Sequence, residues 1–206
     1  MAKGEVAEAE AHIDEVIKAS PKNVDAHFAK GQLYLLRRQG AEAVSEFRTV
    51  ATEKPEFIEG HLRLAEAHLL NKEDELAFDS LLNASNSMPG VKKLHYALAQ
   101  LYARKKDYAA AEKQLNQIRK ADPRDISVLA NLGDLFMATG QVERAEAQYR
   151  DICKLAPGKE LGYFKLAGFY KRRDKPDQAE RVLAQAVERN PQSMRLLSGL
   201  VNAYVG

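Results

Sequence analysis

Six of the seven prolines stand at Pro21, Pro55, Pro89, Pro123, Pro157 and Pro191, each 34 residues after the last. Proline lacks an amide donor and its ring clashes with the preceding turn, so it ends a helix. A strict 34-residue period in helix stops is therefore a period in structure. A chain of 206 residues built this way stacks like units on one another rather than closing around one central core. The seventh proline, Pro176, fits the first position of a helix, where its missing amide costs nothing.

Other columns keep the same step. A small residue recurs at Gly31, Ala65, Ala99, Gly133 and Ala167. Three residues on comes a ring, at Tyr34, His68, Tyr102, Phe136, Tyr170 and Tyr204. Alanine recurs at Ala9, Ala43, Ala77, Ala111, Ala145 and Ala179, followed four residues later by Ile13, Phe47, Leu81, Leu115, Tyr149 and Leu183. Antiparallel helices cross closely only where one presents a side chain too small to hold them apart, and the bulky columns then fill the space around the crossing. The clearest unit, 126–159, reads as a helix, a tight turn at Thr139-Gly140-Gln141, a second helix and a proline exit.

These columns resemble the tetratricopeptide repeat, with its L-[GA]-x-x-Y, A-x-x-x-F and closing proline; in 126–159 the match is Leu132, Gly133, Phe136, Ala145, Tyr149 and Pro157. The resemblance implies an all-α fold, an α-solenoid of stacked antiparallel helix pairs winding as a right-handed superhelix. It divides the chain, as a single array over 1–206, into full repeats 24–57, 58–91, 92–125, 126–159 and 160–193. A half-repeat helix lies at each end, over 1–23 and 194–206. Two departures stand out. There is no Trp, and the large residue near each repeat's start is His27, His61, His95, Leu129 or Tyr163. The ring column also holds His68, which makes 58–91 the least typical repeat and the one expected to fray first.

The final helix presents Leu197, Leu200, Val201 and Tyr204 with nothing after it to cover them all. Two readings follow: the chain is a piece of a longer repeat protein, or its two half-repeats meet between molecules, giving weak head-to-tail self-association.

Composition removes whole classes of function. Mean hydropathy of −0.44 and the lack of a long apolar run leave no membrane span or insertion. The N-terminus MAKGEVAEAEAHIDE lacks the apolar core of a signal peptide. A cytoplasmic protein is expected, or a periplasmic or envelope-associated one if the chain is part of a larger exported protein. Residues 1–103 hold 12 Lys/Arg against 16 Asp/Glu, and 104–206 hold 19 against 13. That is a mild dipole along the chain rather than a nucleic-acid footprint, so no nucleic-acid partner is expected.

Cys153 is the sole cysteine, so no internal disulfide or thiolate cluster can form, and it reads as a small core residue. His27, His61 and His95 share a column, but stacked helices lie roughly 8–10 Å apart. Metal ligands need about 2.0–2.1 Å to one ion, so the three cannot converge on a metal. They read as packing residues in place of the usual aromatic. No GxSxG, HExxH, P-loop or dinucleotide fingerprint is present, and no catalytic residue, cofactor or metal site is expected.

What remains is a binding groove. The resemblance implies that the first helix of each pair lines the concave side. Columns unused in packing then face a ligand: Phe28, Gln32, Leu35, Leu36, Leu62, Arg63, Glu66, Leu69 and Leu70 early, Tyr96, Gln100, Arg104, Asn131 and Asp134 in the middle, and Phe164, Lys165, Lys171 and Arg172 late. Ala130 shares the Phe28 column. The early leucines and Phe28 form an apolar shelf, unless they pack under the turns, and the late lysines and arginines form a basic rim. Exposed apolar side chains in a concave strip are natural anchors. The family's clamp for a C-terminal carboxylate needs Lys and Asn one turn apart on one first helix, Asn on the next, then Lys and Arg. No register supplies that set. The expectation is a non-catalytic scaffold binding a peptide or protein segment. The alternative is a structural or assembly segment of a larger repeat protein, of a secretion, envelope or polysaccharide-export kind, acting through its ends.

Overall fold

The computed structural model describes residues 3–205, with side chains from 7 to 204. Among the described residues there are twelve helices and no strand. The first member of each pair is α2 (Val24–Leu36), α4 (Ile58–Leu70), α6 (Lys92–Arg104), α8 (Ile126–Ala138), α10 (Glu160–Arg172) and α12 (Met194–Val205). The second members are α1 (Lys3–Ala19), α3 (Gly40–Glu53), α5 (Asp74–Ser87), α7 (Tyr108–Ala121), α9 (Val142–Leu155) and α11 (Pro176–Arg189). Every first helix begins 34 residues after the previous one, as the proline spacing demands. Pro176 opens α11 at its first turn. The chain forms two compact units, 1–101 and 102–206, and the repeat frame runs through both.

The turn inside each pair has one chemistry. In the unit at the N-terminus the amides of Gln39 and Glu73 donate to the carbonyls of Tyr34 and His68, at 2.8 and 2.9 Å. In the second unit Asp107, Gln141 and Lys175 donate to Tyr102, Phe136 and Tyr170, at 2.9, 2.8 and 3.0 Å. The residue before each of these donors is left-handed: Arg38, Lys72, Lys106, Gly140 and Asp174, with φ between 55° and 72°. This is the Schellman ending, which satisfies helix carbonyls that would otherwise lack a donor. Only Gly140 adopts the conformation without steric cost.

The turn between pairs is held by a side chain. His27, His61 and His95 each set Nε2 at 2.8–2.9 Å from the carbonyl of the proline six residues earlier, Pro21, Pro55 and Pro89. Tyr163 does the same, its hydroxyl donating to the Pro157 carbonyl at 3.1 Å. In four of the five repeats the column that lacks tryptophan thus carries a ring with a polar tip that closes the loop, the exception being Leu129. His68 also has a structural role: it is buried, and its Nδ1 lies 2.7 Å from a Glu73 carboxylate oxygen.

Pairs cross at the small column. A Cβ placed on Gly31 would sit 2.7 Å from Phe47 Cζ, and one on Gly133 would sit 2.8 Å from Tyr149 Cζ. Phe47 and Tyr149 are wholly buried. Where the large column holds leucine, at Leu81 and Leu183, the same repeat's small column holds alanine, at Ala65 and Ala167. Ring is matched with glycine and leucine with alanine, so a larger side chain on one helix meets a smaller one on the other.

Candidate functional site

In the first unit, α2 and α4 bring Gln32, Leu35, Leu36, Arg63 and Glu66 around one shallow depression. All five belong to the columns assigned to ligand binding from sequence. Leu36 is 81% exposed, a large apolar side chain held in water at the last turn of α2. Arg63 pairs with Glu59 at 3.4 Å and Glu66 at 2.6 Å, while its Nε is buried without an acceptor. Lys93 reaches Glu59 at 3.4 Å.

Other members of the expected shelf are partly spent on packing. Phe28 meets Phe47 and Phe57 edge-on, with centroids 5.6 and 5.2 Å apart. Leu35 flanks the core around Phe47 while also lining the depression. Leu62, Leu69, Leu70 and Tyr96 are half-buried, and Gln100 is exposed. Arg37 is drawn away from the face: it grips Glu10 with two bonds, of 2.8 and 2.6 Å, and holds that carboxyl below its ordinary value.

In the second unit the first-helix face is organised by Asp134. Its carboxylate accepts from the Tyr149 hydroxyl at 2.7 Å and from Lys165 at 2.5 Å. Burial, and then the bond to Asp134, push the Tyr149 hydroxyl well above the usual phenol range. Asn131 turns back to the Ser127 carbonyl at 2.7 Å. Phe164 is half-buried and presses on α12, where a Cβ on Gly199 would lie 2.9 Å from its ring, and Arg195 stacks above it at 5.3 Å. Lys171 donates to the Asn202 carbonyl at 3.3 Å. Arg104 and Arg172 are exposed. Ala130, expected on the face, is buried. Sequence columns missed the Tyr149–Asp134–Lys165 chain because its members are 15 and 31 residues apart, on three different helices.

Cys153 is half-buried, and burial pushes its thiol up to about 11. Among the described residues, no three His, Cys, Asp or Glu side chains are grouped to hold a metal ion. No helix among them is long and apolar enough to cross a membrane.

The pattern of the tetratricopeptide repeat matches residues 1–56 and 96–160, and a second form of it matches 162–193. The chain belongs to the tetratricopeptide repeat family. Members are helical-repeat scaffolds for protein interaction, and are generally non-catalytic. No curated protein matches the chain. Among solved structures, yeast Tom70 is similar at TM-score 0.70 and 17% identity, over 96% of this chain and 42% of that one. PilW, a widely conserved type IV pilus biogenesis factor, is similar at 0.67 and 18%, over 94% and 90% of the two chains. YrrB, a TPR protein with an unusual peptide-binding site, is similar at 0.57 and 13%, over 90% and 96%. At these identities the likeness is one of fold.

Proposed function

We propose that this chain is a non-catalytic scaffold whose first-helix face binds a peptide or protein segment. The observation that carries the reading is the α2–α4 depression, where exposed Leu36 stands with the polar side chains of Gln32, Arg63 and Glu66. An apolar anchor and a few fixed polar groups in a concavity are what a peptide site requires. That YrrB has a peptide-binding site supports the reading by analogy of fold. Phe28, Leu62, Leu69, Leu70 and Tyr96 extend the face in the first unit. Asn131, Asp134, Phe164, Lys165, Lys171 and Arg172 would form the corresponding face of the second. The experiment is capture of peptides from a displayed random library by the full chain and by Leu36→Asp. Because Leu36 is exposed, the melting point should hold while captured peptides lose at least tenfold in affinity. Undiminished capture by Leu36→Asp sinks this site.

A second reading, assembly through the ends, is favoured by α12, where Met194, Val201 and Tyr204 are 77%, 59% and 62% exposed. Head-to-tail contact with α1 of a second copy would cover them. Sedimentation that stays monomeric into the high micromolar range, unchanged by Val201→Asp, counts against it.

A further inference from the structure

The second unit has a cleft that the first-helix face does not use. It occupies about 500 Å³ between α9 and α11, with α10 as its floor. One wall carries Arg150 and Lys154, the other carries Arg189 and Gln185, and Leu166 and Val182 supply apolar surface. The floor residues Tyr163, Leu166 and Tyr170 fall at positions i, i+3 and i+7 of α10, away from Lys165, so cleft and first-helix face lie on opposite sides of that helix.

No Asp or Glu lines the cleft. Arg150 is fixed at its rim by Glu146 at 2.7 Å and by the Tyr170 hydroxyl at 2.8 Å. Lys154 has only a loose exposed partner, Asp151 at 3.4 Å, worth little in water. Arg189 makes no ion pair among the described residues. At the corresponding positions of the first unit, 102 residues earlier, stand Arg48, Thr52 and Ser87, so this concentration of cations is not a requirement of the repeat. Arg150 and Lys154 are one helical turn apart, about 6 Å. The cleft thus carries two cations on α9 and one on α11, with Leu166 and Val182 in the same lining.

We infer that this α9–α11 cleft is a second binding site, for an extended acidic peptide segment. Carboxylates would meet Arg189, Lys154 and the outward edge of Arg150, with a small apolar residue on Leu166 and Val182. Arginine gives such carboxylates paired, directional bonds.

The test uses the full chain and a fluorescein-labelled peptide with two glutamates on each side of a leucine, against its glutamine counterpart. Binding is read by anisotropy, and occupancy of the cleft by the labelling rate of Cys153 in its wall at about pH 9, where some thiolate forms. The acidic peptide should bind at least tenfold tighter than the glutamine one and slow Cys153 labelling. Arg189→Glu with Lys154→Glu should remove at least tenfold of that affinity with the melting point unchanged. Arg181→Glu with Lys159→Glu makes the same change in net charge outside the cleft and should have little effect. Four results overturn the proposal: equal binding of the two peptides, equal loss in both double variants, no slowing of Cys153, or displacement by inorganic phosphate at the peptide's own concentration, which marks a simple anion site. Leu36→Asp should leave this binding intact, so failure here and failure of the first-helix site are separable.

Discussion

Gly133 lies where any side-chain carbon would come within 2.8 Å of Tyr149 Cζ, and Tyr149 is wholly buried against it. In an open helix, glycine to alanine stabilises by about 0.5–1 kcal/mol. Here the ring is pinned by its hydrogen bond to Asp134 and cannot retreat. Gly133→Ala should therefore cost about 1–3 kcal/mol, as overpacking does. Adding Tyr149→Leu recreates the alanine–leucine match that Ala65 and Leu81 already use. A double-mutant cycle by chemical denaturation should show coupling of about 1–3 kcal/mol, with alanine far less harmful beside leucine than beside tyrosine. Additive effects would remove the matching rule.

The left-handed turn column predicts the opposite sign for glycine. Arg38, Lys72, Lys106 and Asp174 hold φ values of 55–63°. The left-handed conformation costs an ordinary residue about 1–2 kcal/mol, partly offset by the entropy glycine loses on folding. Lys72→Gly or Asp174→Gly should each raise stability, by about 0.5–1 kcal/mol. Gly140→Ala should lower it by about as much. Thermal melts of the single variants decide this, and a destabilising Lys72→Gly would mean that the lysine makes up its strain elsewhere.

Most of the fold was legible because a period of 34 is a statement about backbone, and every first helix starts on it. The faces were less legible for a physical reason. A column tells which way a side chain leaves its helix, not whether a neighbour covers it. Leu36 and Leu35 follow one another at the end of α2, yet one is free in water and the other flanks the core. Phe164 reads as a ligand anchor from its column, and in the fold its half-buried ring also packs against Gly199 of α12. The histidine column reads as packing, yet each ring is also tied to a backbone carbonyl. Their bond to a carbonyl six residues back could have been read from the fixed His–Pro interval alone.

That bond makes a prediction of its own. Tyr163 shows that a phenol reaches the Pro157 carbonyl, the equivalent of the Pro55 carbonyl that His61 reaches. His61→Phe keeps the ring and loses the tip, and should cost about 0.5–1.5 kcal/mol, the net worth of one hydrogen bond. His61→Tyr should recover part of it. Hydrogen exchange of the amides around Pro55 should quicken in the phenylalanine variant and not in the tyrosine one. If both variants behave alike, the ring acts by size alone.

Acid should loosen the second unit through Glu146. Burial alone would raise its carboxyl, but the Tyr170 hydroxyl at 2.6 Å and Arg150 at 2.7 Å outweigh burial and hold it below its ordinary 4.5. The folded state therefore binds this proton more weakly than the unfolded chain does. The resulting stability is fully present above 4.5 and drains away as pH falls through the lowered folded value. Glu146→Gln should thus melt below the parent protein at neutral pH, and the gap should close on acidification. Tyr170→Phe, which removes one of the two donors, should shift the start of acid unfolding to higher pH. A gap between parent and Glu146→Gln that stays constant from neutrality to pH about 3 would show that the carboxylate's charge has no part in holding α9 to α10.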